Sequence, residues 1–304
     1  MFIYATKFTV DEIKGDEKMK VIGKILCIGI VVFLMAATVS YASADVSTSS
    51  KIYHGPKEVY DEISADEVTN AKPGKPPVGP QPDPSVNKWA VVIGISDYRG
   101  SQNDLQYCDD DAMDMYNYLL ANGYPAGNIK LLLDKKATGR AIMSAIDWLN
   151  SGENGSSDVV FFYSGHGSTY EGYNDGDTEY TDEAIVSADL KLILDGQLMQ
   201  KFATFESQKI SFIFDSCFSG GMNDLQGSGR IIVAACGETQ LSYDGTANQK
   251  NGVFTYYYMD GLNTYNTVEG AFTYAAPLAH DFEQQYNVQM DPQMYDLYTG
   301  DWTF

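Results

Sequence analysis

The sequence contains few histidines, few cysteines and few basic residues. Only 3 histidines and 4 cysteines occur among 304 residues, and 20 lysines and arginines stand against 41 aspartates and glutamates. A formal charge of −21 repels nucleic-acid phosphates, and no Lys/Arg patch with interleaved aromatic residues is present, which excludes a nucleic-acid partner. The excess of carboxylates suits metal cations or positively charged substrates, and it also serves the solubility of an exported chain.

The longest apolar run lies near the N-terminus and indicates export. Residues 19–24 carry a basic start, residues 25–39 are almost entirely apolar, and residues 42–44 (ASA) form a small-x-small cleavage site. We therefore predict that residues 1–44 are an export signal, with translation starting at Met19, and that the mature protein is secreted or on the cell surface. An uncleaved anchor is the alternative, and it is the one membrane contact that we expect.

The rest of the chain divides into a linker and one domain. Residues 45–87 are polar and then proline-rich, and residues 71–87 hold six of the ten prolines, which predicts an extended spacer. From residue 88 to residue 304, apolar runs alternate with helical patterns, which predicts an α/β domain whose mostly parallel sheet is covered on both faces. Strands are predicted at residues 89–95, 129–133, 159–163, 210–214 and 231–235, with a short one in the last fifteen residues. Helices are predicted at residues 109–122, 138–150, 196–205, 254–263 and 271–286, with Thr138 as an N-cap.

Two of these strand ends carry reactive side chains. The strand at 159–163 runs into SGHG at residues 164–167, and the strand at 210–214 runs into DSCFSGG at residues 215–221. In open parallel sheets ligands bind beyond the carboxyl ends of the strands. An imidazole beside a thiol can take its proton and later protonate a leaving amine. If the two strands are neighbours, we expect Cys217 as nucleophile, His166 as its acid–base partner, and the amides of Gly167 and Cys217 as oxyanion donors.

The other thiols and imidazoles have simpler interpretations. Cys27 lies in the apolar signal, and Cys236 ends an apolar strand, which is typical of a small buried hydrophobe. His54 lies in the polar linker, and His280 lies on a predicted helix. Three cysteines in a mature exported chain do not form a disulfide scaffold, so at least one thiol is expected to stay reduced.

The two motifs together resemble those of the caspase-like peptidases, and among them the metacaspases and their prokaryotic relatives. His166 and Cys217 are 51 residues apart, in line with the spacing of caspases. The resemblance extends over residues 88–304, from WAVVIGISDY through CDDDA to GVFTYYYMDGL and a DPQ near the end. It implies a caspase-like sandwich, a mostly parallel six-stranded sheet with helices on both faces, and peptide-bond hydrolysis through an acyl-enzyme.

The resemblance also bears on substrate preference. Caspases that cleave after aspartate use pocket arginines, and the corresponding position here is Leu105. Metacaspases form the pocket from a Cys-x-x-Asp pair, the serine of SGH and the aspartate before the nucleophile, which match Cys108, Asp111, Ser164 and Asp215. Buried carboxylates without a partner are costly, so a substrate Arg or Lys is expected to fill this pocket. The alternative is structural, with Asp111 and Asp215 capping a helix and a turn.

Calcium is the one cofactor that the sequence suggests. Residues 174–183 (NDGDTEYTDE) are dense in carboxylates, the ligands that hard cations prefer, although the spacing of an EF-hand is absent. By resemblance to calcium-binding metacaspases, Asp182, Asp195 and Asp224 would be ligands. Gly196 stands where the family pattern has a second aspartate, so one ligand is missing. The alternative is a solvated acidic loop.

We therefore expect an exported cysteine endopeptidase that hydrolyses peptides or proteins after Arg or Lys. One alternative is a clostripain- or legumain-type peptidase with the same dyad and another pocket. Others are a catalytically silent caspase-fold module that binds calcium or a partner, and an exported scaffold whose acidic loop binds calcium. After the nucleophile turn only residues 220–230 precede the fifth predicted strand, so no long linker between subunits is evident. Self-cleavage after Lys250 is a further hypothesis.

Overall fold

The computed structural model describes residues 61–62, 80–171 and 180–304. The predicted export signal, residues 1–44, lies outside these residues. Most of the predicted linker, residues 45–87, and residues 174–179 of the acidic loop also lie outside them. No helix among the described residues is long and apolar enough to cross a membrane.

A six-stranded sheet forms the centre of the domain. The described strands are β1 (Asp61–Glu62), β2 (Lys88–Gly94), β3 (Ile129–Leu133), β4 (Asp158–Ser164), β5 (Gly167–Glu171), β6 (Thr181–Val186), β7 (Lys191–Leu194), β8 (Ile210–Asp215), β9 (Arg230–Ala234) and β10 (Gln293–Asp296). The order in the large sheet is β10-β9-β8-β4-β2-β3. All of its pairings are parallel except that of β10 with β9.

Helices cover both faces of this sheet. They are α1 (Cys108–Ala121), α2 (Gly139–Gly152), α3 (Asp195–Phe202), α4 (Val253–Tyr265) and α5 (Val268–Tyr286). Successive strand residues point to opposite faces, so Val91 and Ile93 of β2 pack with α2 and α3, whereas Ala90 and Val92 pack with α1, α4 and α5. This two-sided burial is why the central strands have continuous apolar sequences.

The predicted α/β architecture is confirmed. The five long predicted strands agree with β2, β3, β4, β8 and β9 to within one residue at each end, and the short strand is β10. All five predicted helices are present. Thr138 caps α2 as predicted, because its Oγ1 accepts a hydrogen bond of 3.3 Å from the Ala141 amide.

A second sheet was not predicted. It has the order β1-β7-β6-β5, and its strands β5 and β6 flank the acidic loop at residues 174–183, with β6 starting inside it at Thr181. The sequence signal for its strands is weak, because β5 (GSTYE) is largely polar and β6 begins with Thr181-Asp182-Glu183. The two acids are nevertheless buried. Since β5 starts at Gly167, this sheet continues directly from the SGHG motif.

Candidate active site

The two reactive strand ends lie side by side. Strands β4 and β8 are neighbours, with Ser164 in register with Asp215, so His166 and Cys217 each follow that pair by two residues. The turn after Ser164 stays close to β8, because the Gly165 amide donates to the Asp215 carbonyl at 3.2 Å. The condition under which we expected a Cys–His pair, adjacency of the two strands, is therefore met.

Gly167 brings the histidine turn against the backbone of the nucleophile. A Cβ atom at Gly167 would lie only 1.9 Å from the Cys217 carbonyl oxygen, so no other residue fits without a backbone shift. His166 O accepts from the Val186 amide, which makes Gly167 and Ile185 a non-hydrogen-bonded pair of the β5–β6 ladder. The Gly167 amide therefore points away from β6 and is available for an oxyanion.

The backbone and ring of His166 are held by different neighbours. Its amide donates to the Tyr98 hydroxyl at 2.7 Å, and its carbonyl accepts from the Tyr163 hydroxyl at 2.7 Å. The ring nitrogen Nε2 lies 2.8 Å from the Asn103 carbonyl oxygen. Since a carbonyl can only accept, Nε2 carries the proton of the neutral ring, and Nδ1 is left as the basic nitrogen.

Both members of the pair are uncharged at rest. Burial lowers the pKa of His166 to about 4, although the Asn103 carbonyl and the charge of Asp104 oppose that shift. Burial raises the pKa of the Cys217 thiol well above its ordinary value, and only 1% of this residue is exposed. The Cys217 Sγ contacts the Ser242 carbonyl oxygen at 3.9 Å. The resting site therefore holds a thiol and a neutral imidazole, not an ion pair.

The chain turns sharply after the nucleophile. Phe218 has a left-handed φ of 61°, a conformation that costs a non-glycine residue about 1 kcal/mol or more. Its amide is fixed by the Gln240 carbonyl at 2.8 Å, and a 3-10 helix, Ser219–Leu225, begins at the next residue. This strained turn keeps the Cys217 amide at the end of the sheet, where it was predicted to serve the oxyanion.

Two of the predicted pocket residues form a buried acid pair. Asp111 and Asp215 are both 0% exposed, and Gly252 lies between them: a Cβ there would be 2.4 Å from Asp215 Oδ2 and 3.2 Å from Asp111 Oδ2. Ser164 donates to Asp111 Oδ2 at 2.6 Å, so three of the four predicted pocket residues meet. Burial raises the pKa of both carboxyl groups, and repulsion from Asp215 raises that of Asp111 further.

The acid pair already has hydrogen-bond partners, contrary to our expectation that only a cation would satisfy it. The Gly252 amide donates to Asp111 at 3.0 Å, and the Thr255 amide and hydroxyl donate to Asp215 at 3.0 and 2.8 Å. Both acids therefore accept hydrogen bonds from the N-terminus of α4, where the helix dipole stabilises negative charge. The Ser242 hydroxyl donates to the other Asp215 oxygen at 2.5 Å. In this state the pocket is closed.

The fourth predicted pocket residue, Cys108, lies one helical turn before Asp111 on α1. It is completely buried at the first residue of α1, and its carbonyl oxygen packs against Gly94. Its thiol contributes to the raised pKa of both Tyr98 and Tyr163, which puts it with the tyrosines that hold His166. Leu105, where a caspase would have arginine, is buried in the hydrophobic core.

The predicted metal ligands are not gathered into one site. Asp182 and Asp195 are completely buried, whereas Asp224 is partly exposed, and no described group of three or more His, Cys, Asp or Glu side chains is arranged to hold a metal ion. The reason is local for Asp195, whose carboxylate accepts from two backbone amides, that of Gly196 at the start of α3 and that of Glu183 in the first half of β6. Glu183, the residue after Asp182, packs its carboxylate against Gly221 of the 3-10 helix that follows the nucleophile.

The remaining thiol and imidazole are structural, as their sequence context suggested. Cys236 is completely buried, and its thiol donates to the Ser216 and Gln240 carbonyls, both at 3.3 Å. His280 is exposed on α5 and pairs with Asp291 at 3.3 Å. The Cys236 thiol also adds to the raised pKa of Cys217, which places this buried thiol near the nucleophile.

Comparison with known proteins identifies the family. The caspase domain model matches residues 87–295. The chain is 31% identical over 158 residues to Metacaspase-3 of Arabidopsis thaliana, covering 48% of this chain and 43% of that protein. It is 35% identical over 158 residues to Metacaspase-1 of Candida albicans, covering 46% and 35%. The chain thus spans less than half the length of these curated relatives.

A solved structure supports the fold alone. A crystal structure of a Geobacter sulfurreducens protein matches with a TM-score of 0.54 and 16% identity, covering 69% of this chain and 92% of that one. The caspase domain match, by contrast, covers more than half of the chain and includes both strand ends that carry His166 and Cys217. The chain therefore belongs to the caspase-like cysteine peptidases and has metacaspases among its relatives.

Proposed function

We propose that this protein is a cysteine endopeptidase that hydrolyses peptide bonds after Arg or Lys with a Cys217–His166 dyad. The observation that carries the proposal is the meeting of two features at one sheet edge: the SGHG and DSC turns lie side by side, and a buried acid pair lies beside the nucleophile. An acid pair next to a thiol favours a cationic substrate side chain and disfavours an acidic one.

The reaction begins with proton transfer within the dyad. Nδ1 of His166 takes the Cys217 proton as the sulfur attacks the carbonyl carbon, and the amides of Gly167 and Cys217 donate to the oxyanion that forms. His166 then protonates the leaving amine, which yields an acyl-enzyme. Water attacks this thioester with His166 as base, and the released acid restores the thiol. The Asn103 carbonyl keeps the ring oriented through Nε2.

In this proposal Asp111 and Asp215 bind the cationic side chain of the substrate. One negative charge shared by the pair is enough to bind a guanidinium or an ammonium group, and Ser164 and Thr255 keep the two carboxyl groups in place. The alternative peptidases of the clostripain and legumain types share the dyad and have another pocket, so substrate preference is the property that tests between them.

The test is hydrolysis of four reporter peptides that end in Arg, Lys, Asn or Asp. We expect turnover of the Arg and Lys reporters alone, complete loss of turnover in Cys217→Ala, and retained turnover in Cys236→Ala, which removes a second buried thiol. Equal turnover in the wild type and Cys217→Ala would show that the dyad is not catalytic. No turnover of any reporter by folded wild type would favour a silent binding module.

Calcium and export are separate proposals. Calcium is proposed as a ligand of the carboxylate-rich residues 174–183, and it is assigned no step in this mechanism. Calorimetric titration with calcium, set beside reporter turnover with and without the ion, tests whether the chain binds it. Export rests on the basic start, apolar run and ASA motif within residues 1–44. Expression of the full chain, followed by N-terminal sequencing of the exported protein, should find Asp45 first if the signal is cleaved.

A further inference from the structure

A single residue, Ser242, contacts both the nucleophile and the acid pocket. Its backbone carbonyl lies 3.9 Å from the Cys217 sulfur, and its hydroxyl donates to Asp215 Oδ1 at 2.5 Å. Ser242 is 0% exposed, so these contacts are shielded from water. It lies in the segment that joins β9 to α4, well separated in sequence from both partners.

The segment that carries Ser242 also closes the pocket. It continues to Gly252, whose amide donates to Asp111 and whose Cα lies between the two acids. The Tyr243 carbonyl accepts from the Val253 amide at 2.9 Å, and Asp244 forms a β-bridge with Gly252, so residues 242–252 form a closed loop on top of the pocket. We call residues 242–252 the pocket cover.

A substrate side chain cannot reach Asp215 while the pocket cover stays in this position. Both Asp215 oxygens already accept hydrogen bonds, one from Ser242 and the other from Thr255, and the carboxyl group has no exposed surface. A carboxylate oxygen can accept a second donor, but the donor has to come within hydrogen-bond distance. Entry of a cation therefore requires the hydroxyl of Ser242 to move or to share its acceptor.

We infer that Ser242 is a positioning residue that couples occupancy of the acid pocket to exposure of the Cys217 thiol. A rotation of the side chain alone would move the hydroxyl and leave the carbonyl in place. The coupling therefore requires the backbone of the pocket cover to shift at Ser242 once the hydrogen bond that anchors it to Asp215 is lost. The basic side chain of a substrate would thus release the nucleophile as it binds. This inference rests on the proposed preference for Arg and Lys.

The test measures alkylation of Cys217 by iodoacetamide, with the three thiols of the described residues resolved by peptide mass spectrometry. Butylguanidine serves as a cationic probe of the pocket, and butylurea is its neutral isostere. We expect butylguanidine to accelerate alkylation of wild-type Cys217 about tenfold, the factor that one buried hydrogen bond typically carries, and butylurea to have no effect.

Three variants assign the coupling to the hydroxyl. Ser242→Ala should react rapidly without a probe and lose the response to butylguanidine, whereas Ser242→Thr, which keeps a hydroxyl, should recover the response. Ser207→Ala is the matched control: it removes another buried serine hydroxyl, which donates to the Ser157 carbonyl at 2.6 Å, and it should respond like the wild type.

Each outcome decides the inference separately from the proposed function. A Ser242→Ala variant that keeps the wild-type response would overturn the coupling. So would a wild type that hydrolyses the Arg reporter but shows no acceleration by butylguanidine, and this measurement needs no variant to fold. If instead no reporter is hydrolysed while butylguanidine accelerates alkylation, the coupling stands and the proposed peptidase activity fails.

Discussion

Burial of His166 predicts that the protein loses stability in mild acid. This residue is 5% exposed, and burial lowers the pKa of its imidazole to about 4 from an ordinary value of 6.5. Between these two values the unfolded chain binds a proton that the folded chain does not, so the free energy of unfolding falls as the pH falls from 6.5 to 4. The full loss from this one group is about 3 kcal/mol, and about 2 kcal/mol is already lost at pH 5.

The measurement compares urea unfolding of the wild type and His166→Gln at pH 7.5 and at pH 5. The variant lacks the titrating ring, and the other acid-sensitive groups are common to both proteins. The two proteins can differ in their free energy of unfolding at pH 7.5. Between pH 7.5 and pH 5 that difference should change by about 2 kcal/mol in favour of the variant. Reporter turnover of the wild type should persist at pH 5, because the folded imidazole is still mostly neutral there.

A matched control is His280→Gln, which removes an exposed imidazole from α5. The free energy of unfolding of this variant at pH 7.5 should lie within about 0.5 kcal/mol of the wild-type value, as is usual for surface substitutions. The reasoning from burial would be refuted if the difference in free energy of unfolding between His166→Gln and the wild type stayed constant with pH. It would also be refuted if the wild type became the relatively more stable protein in acid. Either result would mean that the folded ring titrates near its ordinary value or gains a proton on folding.

Three other predictions follow from single contacts. Gly167→Ala places a Cβ 1.9 Å from the Cys217 carbonyl and should abolish turnover and cost about 3 kcal/mol in urea unfolding, whereas Gly155→Ala, with its nearest atom at 3.6 Å, should change neither. Asp111 has a raised pKa, so its carboxyl group costs the folded protein stability as the pH rises above 3.8. Asp111→Asn removes that cost, and at pH 7 the variant should unfold at an equal or higher temperature than the wild type. Its turnover of the Arg reporter should fall about tenfold or more. Thr138→Ala removes the N-cap of α2 and should cost about 1 kcal/mol in urea unfolding without changing turnover.

The elements that position the site were predictable because their signals are local. Strands β4 and β8 are buried on both faces, so each is a continuous apolar run that ends abruptly at a glycine-rich turn. What the sequence could state only conditionally was that these two strands are neighbours, because parallel pairing joins segments that are distant in the chain. The SGHG and DSC motifs could be recognised one by one, but the register of Ser164 with Asp215 required the structure.

The parts of the site that escaped prediction are non-local or have no side-chain signature. Asp215 is hydrogen-bonded by Ser242 and Thr255, which are 27 and 40 residues away, and Asp111 is bonded by Gly252, 141 residues away. The group that orients His166 is a backbone carbonyl, that of Asn103, which any residue could supply. The sequence therefore predicted the buried acid pair and proposed the dyad, but it did not predict the groups that hold them.

Burial decides the charge state of the whole site, and this constrains how it can work. It lowers the pKa of His166 and raises those of Cys217, Asp111 and Asp215, so every one of these groups is shifted toward its neutral form. Moving a proton from Cys217 to His166 in such surroundings creates two charges at low dielectric, a cost that the resting site does not offset. In the proposed mechanism the substrate supplies the offset. Its cation lies beside the acid pair, and its carbonyl oxygen takes over the negative charge of the sulfur at the Gly167 and Cys217 amides. A closed, neutral site of this kind is unreactive toward ordinary solutes, and its activity should follow the opening of the pocket cover.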